Sequence, residues 1–576
     1  MSYLRSMVVI LALSMLAGAV SFAELEAGED GRELIKAAEL QEWLTRFSSD
    51  EFEGRRTYSE GLGLAAAYLA EQMKSWGVRP GGDHGSYFQK VRVLGVKSDN
   101  RSTLTVEGNG QTKAFANGQG VRFSMNVGKK RTFTADQVEF MGYGLDLPQI
   151  KHMDYAGKNV KGKVVIWLGP AGPQAVEAQY RRLLGGRARY ATDAQGAAAC
   201  ISPAMGGGLR PQAPPQTAAA AAGEQRAAQP LRIEDADFTT VQPLDNEIPP
   251  SVNAQDEFFE FLFSGQQSGY ADLKALAAER KPLPVFPLKN VKITFNLDAD
   301  YRVVRTQYTR NVVGMVEGSD PKLKNTYIAY GAHIDHMGYS EGEIIQTERG
   351  PQRVEPRGRV REGTIEDRIW NGADDDGTGC IALLALAKAF QQGPRPRRSM
   401  LFVFHTGEEN GLLGSRYFAD YPTVPLESIV ANINLDMIGR NRDDKPEEAN
   451  SVCVVGSDRI STELHNITVD ANDSLSKPLR LDFELNDPSD PEQIYYRSDH
   501  YSYAAKGIPV VCLTTGLHGD YHFNTDSVEK INFEKMERIT KFCYEMGMRL
   551  SRLDHAPVRD NLGPRAGKGT TGMLER

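Results

Sequence analysis

From Pro287 onward the chain alternates two kinds of apolar segment, and this alternation limits the folds open to it. Asn311–Val316, Thr326–Tyr330, Ser399–Phe404, Ile429–Leu435 and Pro509–Leu513 are short, continuous and rich in β-branched residues. Cys380–Phe390 and Phe533–Leu550 are longer and have helical spacing. Strands apolar along their whole length must be covered on both faces, which calls for a largely parallel sheet between layers of helices. The expectation is therefore an α/β domain of three layers, α/β/α.

The chemistry lies in the residues just beyond each strand. Thr326–Tyr330 runs into Gly331-Ala332-His333-Ile334-Asp335-His336, and Ser399–Phe404 into His405-Thr406-Gly407-Glu408-Glu409. Ile429–Leu435 ends at Asp436, and Pro509–Leu513 leads through Thr514-Thr515-Gly516 toward His522. Ligands of open α/β sheets bind beyond the carboxyl ends of the strands. Here four expected strands each bring an acid or an imidazole to that edge.

A fifth stretch, Asn371-Gly372-Ala373-Asp374-Asp375-Asp376-Gly377-Thr378-Gly379, precedes the helical run Cys380–Phe390. Carboxylates this close repel unless a cation neutralises them. In isolation a solvated helix cap is the simpler reading, since acids suit helix N-termini. The neighbouring acids and imidazoles favour a metal site instead. Imidazole with carboxylate and no thiolate suits zinc, with Mn2+ or Co2+ as alternatives. Two histidines and four or more acids exceed the needs of one tetrahedral ion, but match two ions that share a carboxylate and clamp a hydrolytic water. In His333-x-Asp335 the acid is expected to orient the ring. Of the Glu408-Glu409 pair, one member is expected to bind metal and the other to act as general base.

The chain, at 576 residues, exceeds what one core supports. A net charge of −8 argues against nucleic acid as a partner. The five cysteines are scattered without a CxxC pair, so neither a zinc knuckle nor a disulfide framework is indicated. Residues 1–23 read as a signal peptide: Arg5, the apolar run Met7–Val20, then Ser21-Phe22-Ala23. The implied product is exported, periplasmic or extracellular, with no membrane anchor after cleavage; oligomeric state is not legible. Residues 24–114 form the first part of the catalytic domain. Residues 115–290 read as an inserted β-rich domain, interrupted by a flexible Ala/Pro/Gln-rich segment at 206–230. Residues 291–553 complete the catalytic domain, and 554–576 read as a disordered tail.

The motifs Gly331-Ala332-His333-x-Asp335, Gly372-Ala373-Asp374-Asp375-Asp376-Gly377, Gly407-Glu408-Glu409-Asn410-Gly411, Asn434-Leu435-Asp436-Met437 and Tyr521-His522 together resemble the co-catalytic zinc aminopeptidases, a family that includes glutamate carboxypeptidase and the transferrin receptor. Val138–Gly144 and Val160–Ile166 resemble the protease-associated (PA) domain that some members carry as an insert. The resemblance implies the zinc-exopeptidase (phosphorylase/hydrolase-like) fold, two Zn2+ ions and peptide substrates. It implies His333 and Asp436 on one ion, Glu409 and His522 on the other, and Asp375 bridging them. Glu408 would be the general base, Asp335 the partner of His333, and Tyr521 a donor to the oxyanion. The family also admits carboxypeptidases, for which Arg440, Arg497 or Arg361 would have to hold a substrate carboxylate, and non-catalytic receptors. Forty-two positions separate His333 from Asp375, and the charged run 341–368 between them reads as a lid or rim over the cleft or, more simply, as a solvated loop. His336, His405, His500 and His518 read as rim or structural residues, Asp499 and Asp520 as outer groups, and Cys380 as core.

Overall fold

A computed structural model describes residues 30–204, 235–347, 350–354 and 358–561. The leader at 1–23, the segment 206–230 and the end of the expected tail lie outside these residues.

The main sheet contains nine strands in one path. They are β1 (Phe88–Asn100), β2 (Phe238–Thr240), β3 (Ala299–Val316), β4 (Tyr327–His333), β5 (Ser399–His405), β6 (Ile429–Leu435), β7 (Ser451–Val455), β8 (Arg480–Asp482) and β9 (Val510–Thr514). Their spatial order is β2-β1-β3-β5-β4-β6-β9-β7-β8, and the short strand Arg79–Pro80 pairs with β3 beside this path. The central four, β5-β4-β6-β9, are parallel. Antiparallel pairs flank them on both sides, from β3 to β2 and between β9 and β7. The sheet is therefore mixed: the expected parallel pairing holds for its centre and for the edge pair β7-β8, and the remaining pairs are antiparallel. The antiparallel flank comes from residues 88–100 and 299–316, which enclose the insert and return as one long ribbon.

Alternate residues of the central strands serve two cores, as the period of a strand requires. Ile328, Tyr330, Ala332, Phe402 and Phe404 pack with helices α1 (Ala37–Phe47), α2 (Glu60–Ser75), α3 (Gly379–Gln392) and α6 (Phe533–Arg552). Ala329, Leu401, Val403 and Cys512 face the other way, toward Phe418 of α4 (Leu413–Asp420) and Tyr503. Helix α5 (Thr462–Asp473) joins the first layer through Leu464 and Ala471. This is the three-layer arrangement. No helix among the described residues is long and apolar enough to cross a membrane.

A second body has its own apolar core, running from Leu104 to Ala299. It contains a six-stranded and a four-stranded sheet. Its limits are wider than the expected 115–290, because Thr103–Gly108 and Val291–Leu297 pair with each other inside it. Strand β2 leaves this body to join the edge of the main sheet at β1. The first described residues of the expected disordered tail, from 554, are ordered. Asp554, His555 and Val558 are held by Arg397 and Glu463 of the catalytic body. All five cysteines are buried and unbridged.

Candidate metal centre

The three adjacent acids have three different tasks. Asp374 accepts from Thr378 Oγ1 at 2.9 Å and from the Gly439 amide at 2.7 Å. Asp376 accepts from the amides of His333 (3.0 Å), Gly379 (3.0 Å) and Met437 (3.1 Å). It thus ties together the end of β4, the start of α3 and the loop after β6. Of the three, Asp375 is the one that turns toward His333, His522, Glu409 and Asp436, and its peptide bond to Asp376 is cis.

Two ligand groups meet at Asp375. In the first, His333 Nε2 lies 3.3 Å from Asp375 Oδ1 and 3.7 Å from Asp436 Oδ1. In the second, His522 Nε2 lies 3.1 Å from both Asp375 Oδ2 and Glu409 Oε1. His336 adds a further imidazole here, its Nδ1 at 3.1 Å from Glu409 Oε1 and 3.6 Å from Asp375 Oδ2. The five residues expected to hold metal therefore converge, and His336 is not a rim residue. It belongs to the second group.

The electrostatics call for added positive charge. Burial opposes protonation of His333, but the carboxylates around it, Glu408 foremost, raise it well above the ordinary imidazole range. His522 shows the same balance, burial against Glu409 and Asp375, and is pushed up to about 10. Burial would raise Glu409, yet His522 and His336 hold it down to about 2. Without metal, the rings become the cations that these carboxylates need. Asp375 Oδ2 and His522 Nε2 are also buried without a hydrogen-bond partner. This donor set of imidazoles and carboxylates fits zinc at both groups.

Around the ligands, the contacts differ from expectation in one respect. His333 Nδ1 bonds the carbonyl oxygen of Asp335 at 3.0 Å, while the Asp335 carboxylate is 4.0 Å away. That carboxylate accepts instead from the Glu408 amide (3.0 Å) and Thr57 Oγ1 (2.9 Å). Asp335 therefore orients the ring through its main chain, because its side chain is engaged in holding the Glu408 turn. Burial lifts that carboxyl to about 6. Glu408 lines the cleft, and burial and the nearby acids push it well above the usual carboxylate range, against the pull of His333. A bound cation works in the opposite direction. Asp436 accepts from Ser498 Oγ at 2.5 Å. Tyr521 stacks on His522 with 3.9 Å between ring centroids, and its hydroxyl accepts from Arg497 at 3.2 Å. Burial keeps this phenol protonated.

Three supporting groups were not assigned to the site from the sequence. Arg55, fully buried, donates to the carbonyls of Ile334 (3.0 Å), Asn371 (2.6 Å), Gly372 (2.8 Å) and Phe47 (3.1 Å). It thereby holds the loops that carry His333 and Asp375. Asp526 accepts from the amides of Asp374 and Asp375 at 3.1 Å. The run 341–368 is not a solvated loop. Its described residues form a small antiparallel sheet, and Arg359 exchanges main-chain hydrogen bonds with His522 and Asn524 at 3.2 Å. Of the outer residues, His518 sits 3.4 Å from Asp374, His405 lies 3.4 Å from Asp499, and Asp520 pairs with Arg440. His500 is buried away from the ligands, and Cys380 packs in the core with Sγ directed at the His333 carbonyl. The cleft measures 360 Å³ and is lined by Glu408, Met437, Ile494, Tyr496, Leu517 and Tyr521 together with the ligands. A recess of 510 Å³ elsewhere, around Tyr190 and Tyr501, contains none of the ligands.

An α/β sheet that gathers imidazoles and carboxylates at its carboxyl edge, with a free acid beside them, belongs to the metallohydrolase class of frameworks. Residues 311–546 match the model of Peptidase family M28. A probable leucine aminopeptidase 2 of Aspergillus oryzae is 29% identical over 222 residues, 37% of this chain and 35% of that protein. Its counterpart in Aspergillus fumigatus is 26% identical over 294 residues, 46% of this chain and 49% of that protein. The chain spans less than half the length of these curated relatives. Among solved structures, an aminopeptidase from Aneurinibacillus sp. strain AM-1 is 18% identical, with 92% of this chain and 96% of that chain covered and a TM-score of 0.40. A zinc aminopeptidase from Bacillus subtilis is 17% identical, with 91% and 98% covered and the same TM-score of 0.40.

Proposed function

We propose that the protein is an exported aminopeptidase that holds two zinc ions and removes the first residue from peptides. The observation that carries this reading is Asp375, common to both ligand groups, with Glu408 beside them in the same cleft. One ion would rest on His333, Asp375 and Asp436, and the other on Asp375, Glu409 and His522. Bound there, the ions would polarise the substrate carbonyl and make a water acidic enough to attack at neutral pH. Glu408 takes the proton of the attacking water and returns it to the leaving amine. Asp335, through the Glu408 amide, keeps this carboxyl aimed into the cleft. The Tyr521 hydroxyl, which already accepts from Arg497, has its own proton free to donate to the developing oxyanion.

The carboxypeptidase reading is less well supported. Arg440 is paired with Asp444 and Asp520, Arg361 with Asp520, and Arg497 with Glu492. None of the three is left for a substrate carboxylate. The relatives' names make leucine the first residue to test. Aminoacyl anilides should be cleaved and N-blocked peptides left intact; cleavage of the blocked set alone reverses the assignment. Glu408→Gln should lower kcat by roughly 10²–10⁴-fold while metal content stays unchanged. N-terminal sequencing of the secreted protein tests cleavage after Ala23.

A further inference from the structure

Beside the cleft, a second recess of 340 Å³ opens between β2, β3 and the turn after Glu409. Gly411 and Arg416 line both spaces, so a single turn separates them. Apart from Glu408, the carboxyl groups of the cleft would be taken up by the proposed ions, whereas the recess is lined by two arginines, Arg305 and Arg416, and, among the described residues, by no acid.

Both arginines are exposed, and neither forms an ion pair with an acid among the described residues. Other arginines near the cleft are neutralised, as Arg361, Arg440 and Arg497 show. Asp420 and Asp193 act on the Arg416 charge from outside the recess lining, whereas Arg305 has no such pair among the described residues, so the recess presents guanidinium donors to an anion. Burial raises the Tyr58 hydroxyl while the Arg305 charge opposes it, which places Arg305 near this O–H. Gln307 and Thr239 add neutral polar groups to the wall. A guanidinium presents paired N–H donors that match the two oxygens of a carboxylate.

We propose that this recess binds a carboxylate of the peptide substrate beyond the scissile bond, supplied by its C-terminus or by an acidic side chain. The proposal rests on the aminopeptidase reading: the amino end of the peptide enters the cleft beside Glu408 and the carboxylate reaches the arginines across the Asn410-Gly411 turn. It assigns the enzyme a preference for short or acidic peptides.

The test uses the full-length, metal-loaded enzyme and three peptides of the same length: a free acid, its C-terminal amide, and an amide with glutamate at the third position. At least one carboxylate-bearing peptide should exceed the plain amide by about tenfold in kcat/KM. Which of the two gains identifies the source of the carboxylate. Arg305→Gln should bring that ratio close to one and leave cleavage of an aminoacyl anilide, which carries no carboxylate, unchanged. Calorimetry with Glu408→Gln and the same peptides reads the recess without turnover. If the wild type fails to cleave the anilide, the aminopeptidase reading falls while the recess is still measured. Equal affinity for all three peptides overturns the proposal, and so does a preference that survives both Arg305→Gln and Arg416→Gln.

Discussion

The two ligand groups share an acid but are built differently. In the first, His333 is the last residue of β4 and Asp436 comes directly after β6, so neighbouring parallel strands set their separation. In the second, Glu409, His336 and His522 all come from turns, and His522 has a positive φ of 61°. His333 is 1% exposed, whereas the side chain of His522 is 23% exposed and depends on the 341–368 sheet for its main-chain partner. If it holds two ions as proposed, a site half fixed by strands and half by turns should bind them unequally, with the turn-built group the weaker.

Removing the shared acid breaks the comparison altogether. Asp375→Ala should bring metal content near zero at both groups and abolish turnover, as read by elemental analysis of the dialysed protein. Next in size is the loss of the common support. Arg55→Met leaves four carbonyls without their donor and should cost about 3 kcal/mol of stability, measured by denaturant unfolding. If the protein unfolds as the wild type does, the support role of Arg55 is wrong. His336→Ala sharpens the contrast, since it should weaken the second ion about 10- to 100-fold and leave the first in place. Competition with a chelator resolves the two affinities, and equal weakening of both would remove the distinction.

The smallest effect separates metal loss from fold loss on acidification. His500 is buried, and burial lowers it to about 4 against the modest opposition of Asp499. Its folded value is depressed, so the unfolded chain takes up the proton first as pH falls below 6.5. Stability is then lost progressively down to about pH 4, by about 2 kcal/mol at pH 5. Denaturant unfolding of the apo-protein at about pH 7.5 and about pH 5, with and without His500→Phe, checks this; an unchanged difference in the variant assigns the loss to other groups.

The strand-built half of the site was legible in the sequence because each ligand comes directly after an apolar run. The turn-built half was less so. His336 sits next to Asp335 and reads as a loop histidine until the fold turns it toward Glu409. Arg55 and Asp526 act through main-chain groups distant in sequence, at separations no local pattern records. The mixed sheet was missed for a similar reason. Phe88–Asn100 and Ala299–Val316 lie on opposite sides of the insert, and only pairing across it makes them one antiparallel ribbon. The same closure hid the limits of the insert at Thr103–Gly108 and Val291–Leu297.

Because Arg55 props the loops of His333 and Asp375 from a segment far upstream, the beginning of the folded chain is part of the machinery. Ala37 already docks on Glu537 of α6 at 2.7 Å, which anchors the stretch leading to that arginine. A proteolytic nick between α1 and Arg55 would free the prop from its anchor. Such a cut would loosen the loops of His333 and Asp375 while leaving both residues in the chain.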